Sequence, residues 1–372
     1  CLMPHWIWQH KKWTDFAWDE SEVLSALLKA RQAQSRILGF AEAFNVETQG
    51  EICFSVLTDE IKTSSEIEGE ILNLGSLRSS IARRLGLPYA VQDSPPDRYI
   101  EGVIEMMVDA TMNYNEPLTF DRLCAWQASL FPTGYSHLKK INVGQLRGEG
   151  EMRIVSGRPG KEITHYLAPP QQGLKNLVDN FLIWFNAEAK LDGLVKAGIA
   201  HLWFELLHPF DDGNGRVGRA LIDMLLARDE QLDLRFYSVS KEILSQRKLY
   251  YKKLGEACCG ASDITAWLVW FLECYALAIK GSIESIKLAG VKHRFWQKHS
   301  QSSLSERQKK VLNKMLDVDE FEGGMTTKKY MHITKTSRAT AYRELSDLVE
   351  KQCLMPLNKK GRSAAYELVI PA

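Results

Sequence analysis

The segment Leu194 to Leu207, LVKAGIAHLWFELL, is apolar on nearly every side. A helix hydrophobic all round has to lie inside a core, so the rest of the chain must fold around it. It breaks at His208 to Ala220, HPFDDGNGRVGRA. Beyond the break, Val217, Ala220, Leu221, Met224 and Leu225 follow the i, i+3, i+4, i+7, i+8 spacing of a second core helix. The spacing therefore predicts core helix, glycine-rich turn, core helix.

The turn is crowded with chemistry. Gly213, Asn214 and Gly215 stand at the start of the second helix, where unpaired backbone N–H groups and the helix dipole favour an anion. Arg216 and Arg219 are three apart and rise from one helical face. Two guanidinium groups beside such a nest suit a polyphosphate better than a single carboxylate. Asp212 supplies the hard oxygen that a phosphate-bound magnesium ion needs, and His208 can take a proton near neutral pH. Taken singly, a Gly-Asn-Gly turn is often only a connection, and a histidine at a helix end is often only a cap. Taken together within one short turn they indicate anion handling. No Walker A sequence, H-E-x-x-H or Rossmann glycine pattern competes with that reading.

Elsewhere the periodicity is mostly helical. Glu20 to Glu47 reads as one long helix, and a second ends near Gly69. Ser79 to Leu85, Tyr99 to Tyr114 and Thr119 to Leu130 read as further helices, with a proline-rich loop before Tyr99. From Asn142 the composition turns to glycine and β-formers. It predicts a hairpin, Met152 to Ser156 against Ile163 to Leu167. A boundary falls at Ser300 to Ser305, and SERQ, Ser305 to Gln308, is a capping box opening a last helical unit. The length suits two or three domains. The net charge of +1 demands neither nucleic acid nor membrane, no apolar run reads as a membrane span, and the N-terminus lacks a signal-peptide core. Position 1 is a cysteine, which leaves Met3 or an upstream residue as the start. Seven scattered cysteines without a C-x-x-C pair fit a reducing cytoplasm.

HPFDDGNGRVGR resembles the Fic family signature H-x-F-x-D/E-G-N-G-R-x-x-R at every defined position. The resemblance implies transfer of AMP from ATP to a Tyr, Thr or Ser hydroxyl of a protein, the chain itself included, with ATP and Mg²⁺ required. In that reading His208 is the general base, Phe210 packs under the loop and Asp212 holds Mg²⁺. Gly213, Asn214 and Gly215 cradle phosphate oxygens, while Arg216 and Arg219 contact the β- and γ-phosphates. SSEIEG, Ser64 to Gly69, resembles the family's inhibitory motif S/T-x-x-x-E-G/N. It implies that Glu68 pairs with Arg219 and displaces the γ-phosphate. The hairpin is similar to the Fic flap, which makes Ile163 and His165 candidates to touch nucleotide or target. LYYKKL resembles the adenine-side helix, with Tyr250 contacting the adenosine or packing in the core. The position eight residues on, an asparagine in many members, is Cys258.

The opening residues resemble a helical domain that accompanies some bacterial Fic proteins. Its four tryptophans, Trp6, Trp8, Trp13 and Trp18, are expected to pack on the core. The tail resembles a winged helix-turn-helix. Ser337, Arg338, Thr340 and Arg343 would then face a DNA groove, with Lys359, Lys360 and Arg362 on the wing. Residues 301–372 hold 13 basic and 9 acidic residues, a modest excess, and a dimerisation or target-docking module is the alternative. The expected fold is mainly α, a Fic-type helical core with a β-hairpin flap, between a helical N-terminal domain and a winged helix-turn-helix. The expected domains are 1–98 with the inhibitory motif, 99–290 with the catalytic core, and 300–372. The expected partners are a hydroxyl-bearing target protein and, through the tail, DNA, with no membrane; a homodimer is compatible. Another Fic-type transfer (UMP, phosphocholine or phosphate), or a DNA-binding regulator with an ATP-sensing core, are the alternatives.

Overall fold

A computed structural model describes residues 6–86, 97–156, 163–188, 190–259, 262–316, 323–357 and 364–370. The fold is mainly helical and divides into two units, residues 1–282 and 283–372, with the boundary inside one long helix. In chain order the first unit holds α1 (Glu20–Ala41), α2 (Val46–Ile67), α3 (Leu74–Arg84), α4 (Arg98–Met112) and α5 (Phe120–Leu130). Two short hairpins follow, β1 (Tyr135–Ser136) with β2 (Lys139–Lys140) and β3 (Arg153–Ser156) with β4 (Ile163–Leu167). Then come α6 (Leu174–Asn186), α7 (Gly193–Leu207), α8 (Asn214–Glu230), α9 (Val239–Ser245), α10 (Arg247–Cys258) and α11 (Thr265–Lys298).

The apolar segment does what its composition requires: every residue of α7 from Leu194 to Leu207 is buried. Gly198 is the point of closest approach to α11. A Cβ there would stand 2.8 Å from the Phe271 ring, and the Trp267 indole donates to the Gly198 carbonyl at 2.9 Å. α11 also corrects the reading that no apolar run reaches membrane-span length. It runs 34 residues and contains an 18-residue window of mean hydropathy 1.3, but 56% of that window is buried inside the fold. Trp267, Leu268, Phe271, Leu272, Tyr275 and Ile279 make it a packing helix of the core.

The single helix expected over Glu20 to Glu47 is two. α1 stops at Ala41, and Asn45 starts α2 by accepting from the Thr48 N–H at 2.8 Å. The N-terminal residues are tied to the core by charge and by aromatic packing. Arg31 pairs with Asp192 at 2.8 Å and Asp229 at 2.6 Å, and Gln34 donates to Asp229 and Glu230. Trp6 meets Tyr166 edge-on at 5.6 Å, Trp8 donates to the Leu167 carbonyl at 2.6 Å, and Trp13 lies 6.3 Å from Trp203. Residues 1–98 and the central helices accordingly share one unit.

α4 and α5 touch through Gly102, whose carbonyl accepts from the Ser129 hydroxyl at 3.0 Å. A Cβ at Gly102 would lie 1.8 Å from the Ser129 carbonyl oxygen, a backbone atom that cannot rotate away. Gly102→Ala should therefore destabilise the chain by roughly 1–3 kcal/mol, the usual cost of overpacking, despite alanine's better helix propensity. A drop in the urea midpoint measures it.

The second unit contains α12 (Glu306–Leu316), β5 (Met325–Thr326), α13 (Thr327–Thr334), α14 (Arg338–Glu350), β6 (Leu354–Pro356) and β7 (Ala365–Leu368). Its strands form one antiparallel sheet of order β5-β7-β6. Val311, Leu312, Met325, Tyr330, Leu345 and Leu348 are among its buried core. The capping box at Ser305 is formed: the Ser305 N–H donates to the Gln308 side chain at 2.8 Å, and Ser305 Oγ accepts from the Gln308 N–H at 3.2 Å. Ser337 caps α14 by accepting from the Thr340 N–H at 3.3 Å. Ser337, Arg338 and Arg343 are exposed, Thr340 is half-buried, and Tyr342 beside them is 63% exposed. Lys359, Lys360 and Arg362 lie outside the described residues.

Candidate active site

The turn between α7 and α8 is held open by its own polar groups. His208 ends α7 with φ 46, ψ 57, a left-handed conformation uncommon outside glycine. Its N–H still donates to Phe204 at 3.0 Å, and its carbonyl accepts from Arg147 Nε at 2.9 Å. Arg147, 2% exposed, also spans to Pro209 through its backbone N–H and to the Pro169 carbonyl through its guanidinium. It thus fixes the loop against the end of β4. Phe210 is buried, as expected. Asn214 clips the loop shut, donating to the Phe210 carbonyl at 2.8 Å and accepting from its N–H at 3.0 Å. The Asn214 side chain is thereby spent on the loop, and its contribution to a phosphate cradle falls to the backbone. Gly213 has φ 88, and a Cβ there would meet Phe131 and Leu130 at 3.0–3.1 Å, so only glycine suits the position.

A carboxylate already sits over this helix start. α2 ends in a Schellman-type turn: Gly69 has φ 87, and the Glu70 N–H returns to the Ser65 carbonyl at 3.0 Å. The turn delivers Glu68 to α8, where a Cβ on Gly215 would be 2.1 Å from Glu68 Oε1. Arg219, 1% exposed, donates to Glu68 Oε1 at 2.8 Å, to Ser64 Oγ at 2.9 Å and to the Ser64 carbonyl at 2.7 Å. Burial works against the Arg219 charge, and Glu68 more than offsets it, keeping the guanidinium above its usual range. Arg219 NH1 is buried without a hydrogen-bond partner.

The other arginine is held in the same way. Arg216 NH1 contacts the Glu70 carboxylate at 3.2 and 3.3 Å and the Tyr99 hydroxyl at 2.5 Å. Its guanidinium lies 5.1 Å from the Phe131 ring centre. Burial raises the Glu70 carboxyl, and Arg216 opposes the shift. Neither Glu70 nor Tyr99 is among the site residues expected from the sequence. The E-G-E spacing is the available signal for Glu70, and Tyr99 carries none.

Asp212 lies at the mouth, its side chain 40% exposed and 3.7 Å from Arg216 NH2. Its Oδ1 accepts from the Gly213 N–H at 2.5 Å and its Oδ2 from the Ser136 hydroxyl. No group of three or more His, Cys, Asp or Glu suited to a metal occurs among the described residues. One partly exposed carboxylate fits magnesium in its usual mode, where phosphate and water supply the remaining oxygens.

The His208 side chain is 17% exposed. Burial, aided by Arg147, depresses its imidazole to about 4, against the opposing pull of the Glu205 backbone, Glu68 and Asp212. At neutral pH the ring is uncharged and able to accept a proton. In the hairpin expected to be a flap, β3 and β4 pair antiparallel with a register shift between Ile154 and Val155. His165 is exposed on β4, Ile163 opens that strand with a side chain outside the described residues, and positions 157–162 lie outside them as well. Of the two readings of Tyr250, adenosine contact or core packing, the second describes its surroundings. Tyr250 is 2% exposed, its hydroxyl meets His201 Nε2 at 3.0 Å, and its ring packs against Trp270. Its neighbour Tyr251 is 44% exposed, with its hydroxyl 3.3 Å from the Ile67 carbonyl. Cys258 is buried, which raises its thiol.

The helical core thus presents a glycine-rich helix start, two buried arginines and an uncharged histidine, an arrangement suited to an anion. Residues 117–226 match the Fic/DOC family, and the chain is a Fic domain protein. Residues 6–87 match a domain of unknown function, DUF4172. The chain is similar to a probable protein adenylyltransferase of Aquifex aeolicus, 38% identical over 80 residues, 22% of this chain and 25% of that protein. It is also similar to a uridine 5'-monophosphate transferase of Xanthomonas campestris, 32% identical over 119 residues, 30% of this chain and 21% of that protein. The matches thus span a quarter or less of those relatives' lengths. A crystal structure of a Fic family protein from Desulfovibrio desulfuricans G20 shares the fold, with TM-score 0.56 and 18% identity over 94% of this chain and 97% of that one.

Proposed function

We propose that the chain transfers AMP from ATP to a hydroxyl group of a protein, and that Glu68 and Glu70 hold it in a braked state. The observation that carries the reading is the Glu68 carboxylate on Gly215 and Arg219. An anion of the chain's own occupies the helix start that a phosphate would use. In the reaction, His208 takes the proton of the target hydroxyl as its oxygen bonds to the α-phosphorus. The bond from that phosphorus to the bridging oxygen breaks, and pyrophosphate leaves with the electron pair. Arg216 and Arg219, once released, would bind the β- and γ-phosphates and neutralise charge developing on the leaving group. Asp212 would hold Mg²⁺, which when bound supplies charge neutralisation at the phosphates. Positioning by α7 and α8 does most of the remaining work, since both helix ends are anchored in the core.

Similarity to a uridine 5'-monophosphate transferase makes the donor the point to test. The chain should be offered ATP, UTP and CDP-choline separately with Mg²⁺ and a cell lysate. Protein adducts read by mass spectrometry should carry AMP. UMP or phosphocholine adducts in its place would reassign the donor, and absence of any adduct from the chain with Glu68→Gly, which removes the brake, would defeat the transfer reading.

We further propose that residues 283–372 are a winged helix-turn-helix that binds duplex DNA through α14. Exposed Ser337, Arg338, Tyr342 and Arg343 on one helix support it. Affinity of the full chain for a labelled duplex, read by anisotropy, should fall as salt rises. Replacing Arg338 and Arg343 together by alanine should lower the slope of log affinity against log salt by about 2, one for each phosphate that is no longer neutralised. No binding at low salt would favour a protein-docking role for this unit.

A further inference from the structure

α7 carries an acid, Glu205, that the transfer reading leaves unused. His201, Glu205 and His208 recur at i, i+4, i+7 along one side of the helix. Glu205 is 9% exposed, and its Oε1 is buried with no hydrogen-bond partner. Its other oxygen, Oε2, lies 3.9 Å from His208 Nδ1, which is buried and forms no close hydrogen bond, while the Glu205 backbone carbonyl also acts on the ring. Gly218 of α8 makes room for the acid: a Cβ there would come within 2.8 Å of Glu205 Oε1 and 3.0 Å of His201 Nδ1. An unpaired buried carboxyl oxygen costs a fold stability, and buried polar atoms without a partner are rare. Glu205 Oε2 and His208 Nδ1 face one another across 3.9 Å, and with His208 read as the base this points to a bond that closes during function. Catalytic hydrogen bonds are often long before substrate binds and tighten in the complex.

We infer that Glu205 is the positioning residue of His208. Its carboxyl oxygen accepts a hydrogen bond from His208 Nδ1–H, which selects one tautomer and leaves Nε2 as the basic nitrogen. As Nε2 takes the proton of the target hydroxyl, the positive ring is stabilised by the same carboxyl. Burial, reinforced by Glu68 and opposed by Arg219, pushes the Glu205 carboxyl up to about 8, so at neutral pH it is largely an uncharged acceptor. Arg147, Glu68 and Asp212 are the other charged groups that act on His208.

The inference rests on the transfer reading for its rate effects, but not for its tautomer. Nitrogen-15 NMR of the histidine-labelled full chain at pH 7 should show His208 as the Nδ1–H form, assigned by comparison with His208→Asn. An Nε2–H form would overturn the inference, whatever the activity. Kinetics are read in the Glu68→Gly background. Glu205→Met, of similar shape and without polar atoms, should unfold at an equal or higher temperature while its kcat falls roughly 10–10²-fold, up to the lower range of a general base's contribution. KM for ATP should stay unchanged, since Glu205 touches no phosphate in this reading. Glu205→Gln keeps an acceptor oxygen and should recover most of the rate. Equal losses in both variants with an unchanged tautomer, or no loss in either, would overturn the inference. If Glu205→Met fails to fold, Glu205→Leu takes its place, because the backbone carbonyl of residue 205 would hold the same tautomer in the parent and in Glu205→Gln. Absence of transfer by the Glu68→Gly chain itself would instead strike at the transfer reading.

Discussion

His208→Ala in the brake-released chain should lower AMP incorporation by roughly 10²–10⁴-fold, the range a positioned general base supplies. Affinity for ATP should hold, because the groups proposed to meet phosphate are Arg216, Arg219 and the α8 start. His208→Asn should lose as much, and it is the better control for the fold, since asparagine accepts the left-handed backbone of position 208. The pH dependence follows from the direction of the shift. The imidazole is depressed to about 4, so the base is already deprotonated at pH 7. On its account transfer stays level through neutrality and falls only as pH drops toward 4. The same shift contributes stability that is complete above an unfolded histidine's pKa of about 6.5 and is lost as pH falls through 4. Transfer that halves near pH 6.5 would mean that the ring is not buried when it acts.

Glu68→Gly should raise transfer by roughly 10²-fold, the penalty that a misplacement of about 1 Å imposes on a reacting group. Glu68 Oε1 now holds Arg219 at 2.8 Å, and its removal frees that guanidinium for the γ-phosphate. The gain should lie in turnover more than in ATP binding. Glu70→Gln should give a smaller gain, because Tyr99 still holds Arg216 at 2.5 Å. Arg219→Ala should not mimic release, since it removes the anchor of the brake and a phosphate ligand together, and the double variant should resemble it. Stability supplies a second readout. Arg219 is 1% exposed, and without Glu68 the hydrogen bonds to Ser64 remain to it. Breaking a buried pair is destabilising, so Glu68→Gly should unfold at a lower temperature and gain more from added ATP than the parent does. Parallel thermal unfolding and label incorporation check both.

The parts of this site that could be read from sequence are those whose residues are neighbours in it. The two core helices follow from their apolar spacing, and His208 to Arg219 lie within one turn and the helix it starts. Ser64, Glu68 and Gly69 form a second local pattern, and Arg219 does reach Ser64 and Glu68. What escaped comes from distant segments. Tyr99, Ser136 and Arg147 reach the site from α4, β1 and a loop, and nothing in their own surroundings marks them. Tyr250 and Tyr251 show a related difficulty. Adjacent aromatics on a helix point about a quarter-turn apart, and only packing decides which faces inward. Here His201 and Trp270 take Tyr250. The break after Ala41 is hidden because Phe40 and Phe44 continue the apolar spacing, as a contacting pair, past the end of α1.

The most direct measurement uses ATP labelled at the α-phosphate and, separately, at the γ-phosphate, with the Glu68→Gly chain, Mg²⁺ and a lysate. The α-label should enter protein with the release of one pyrophosphate per adduct, and His208→Asn in the same background should abolish it. Incorporation of the γ-label, or of the α-label to the same extent without His208, would contradict the account.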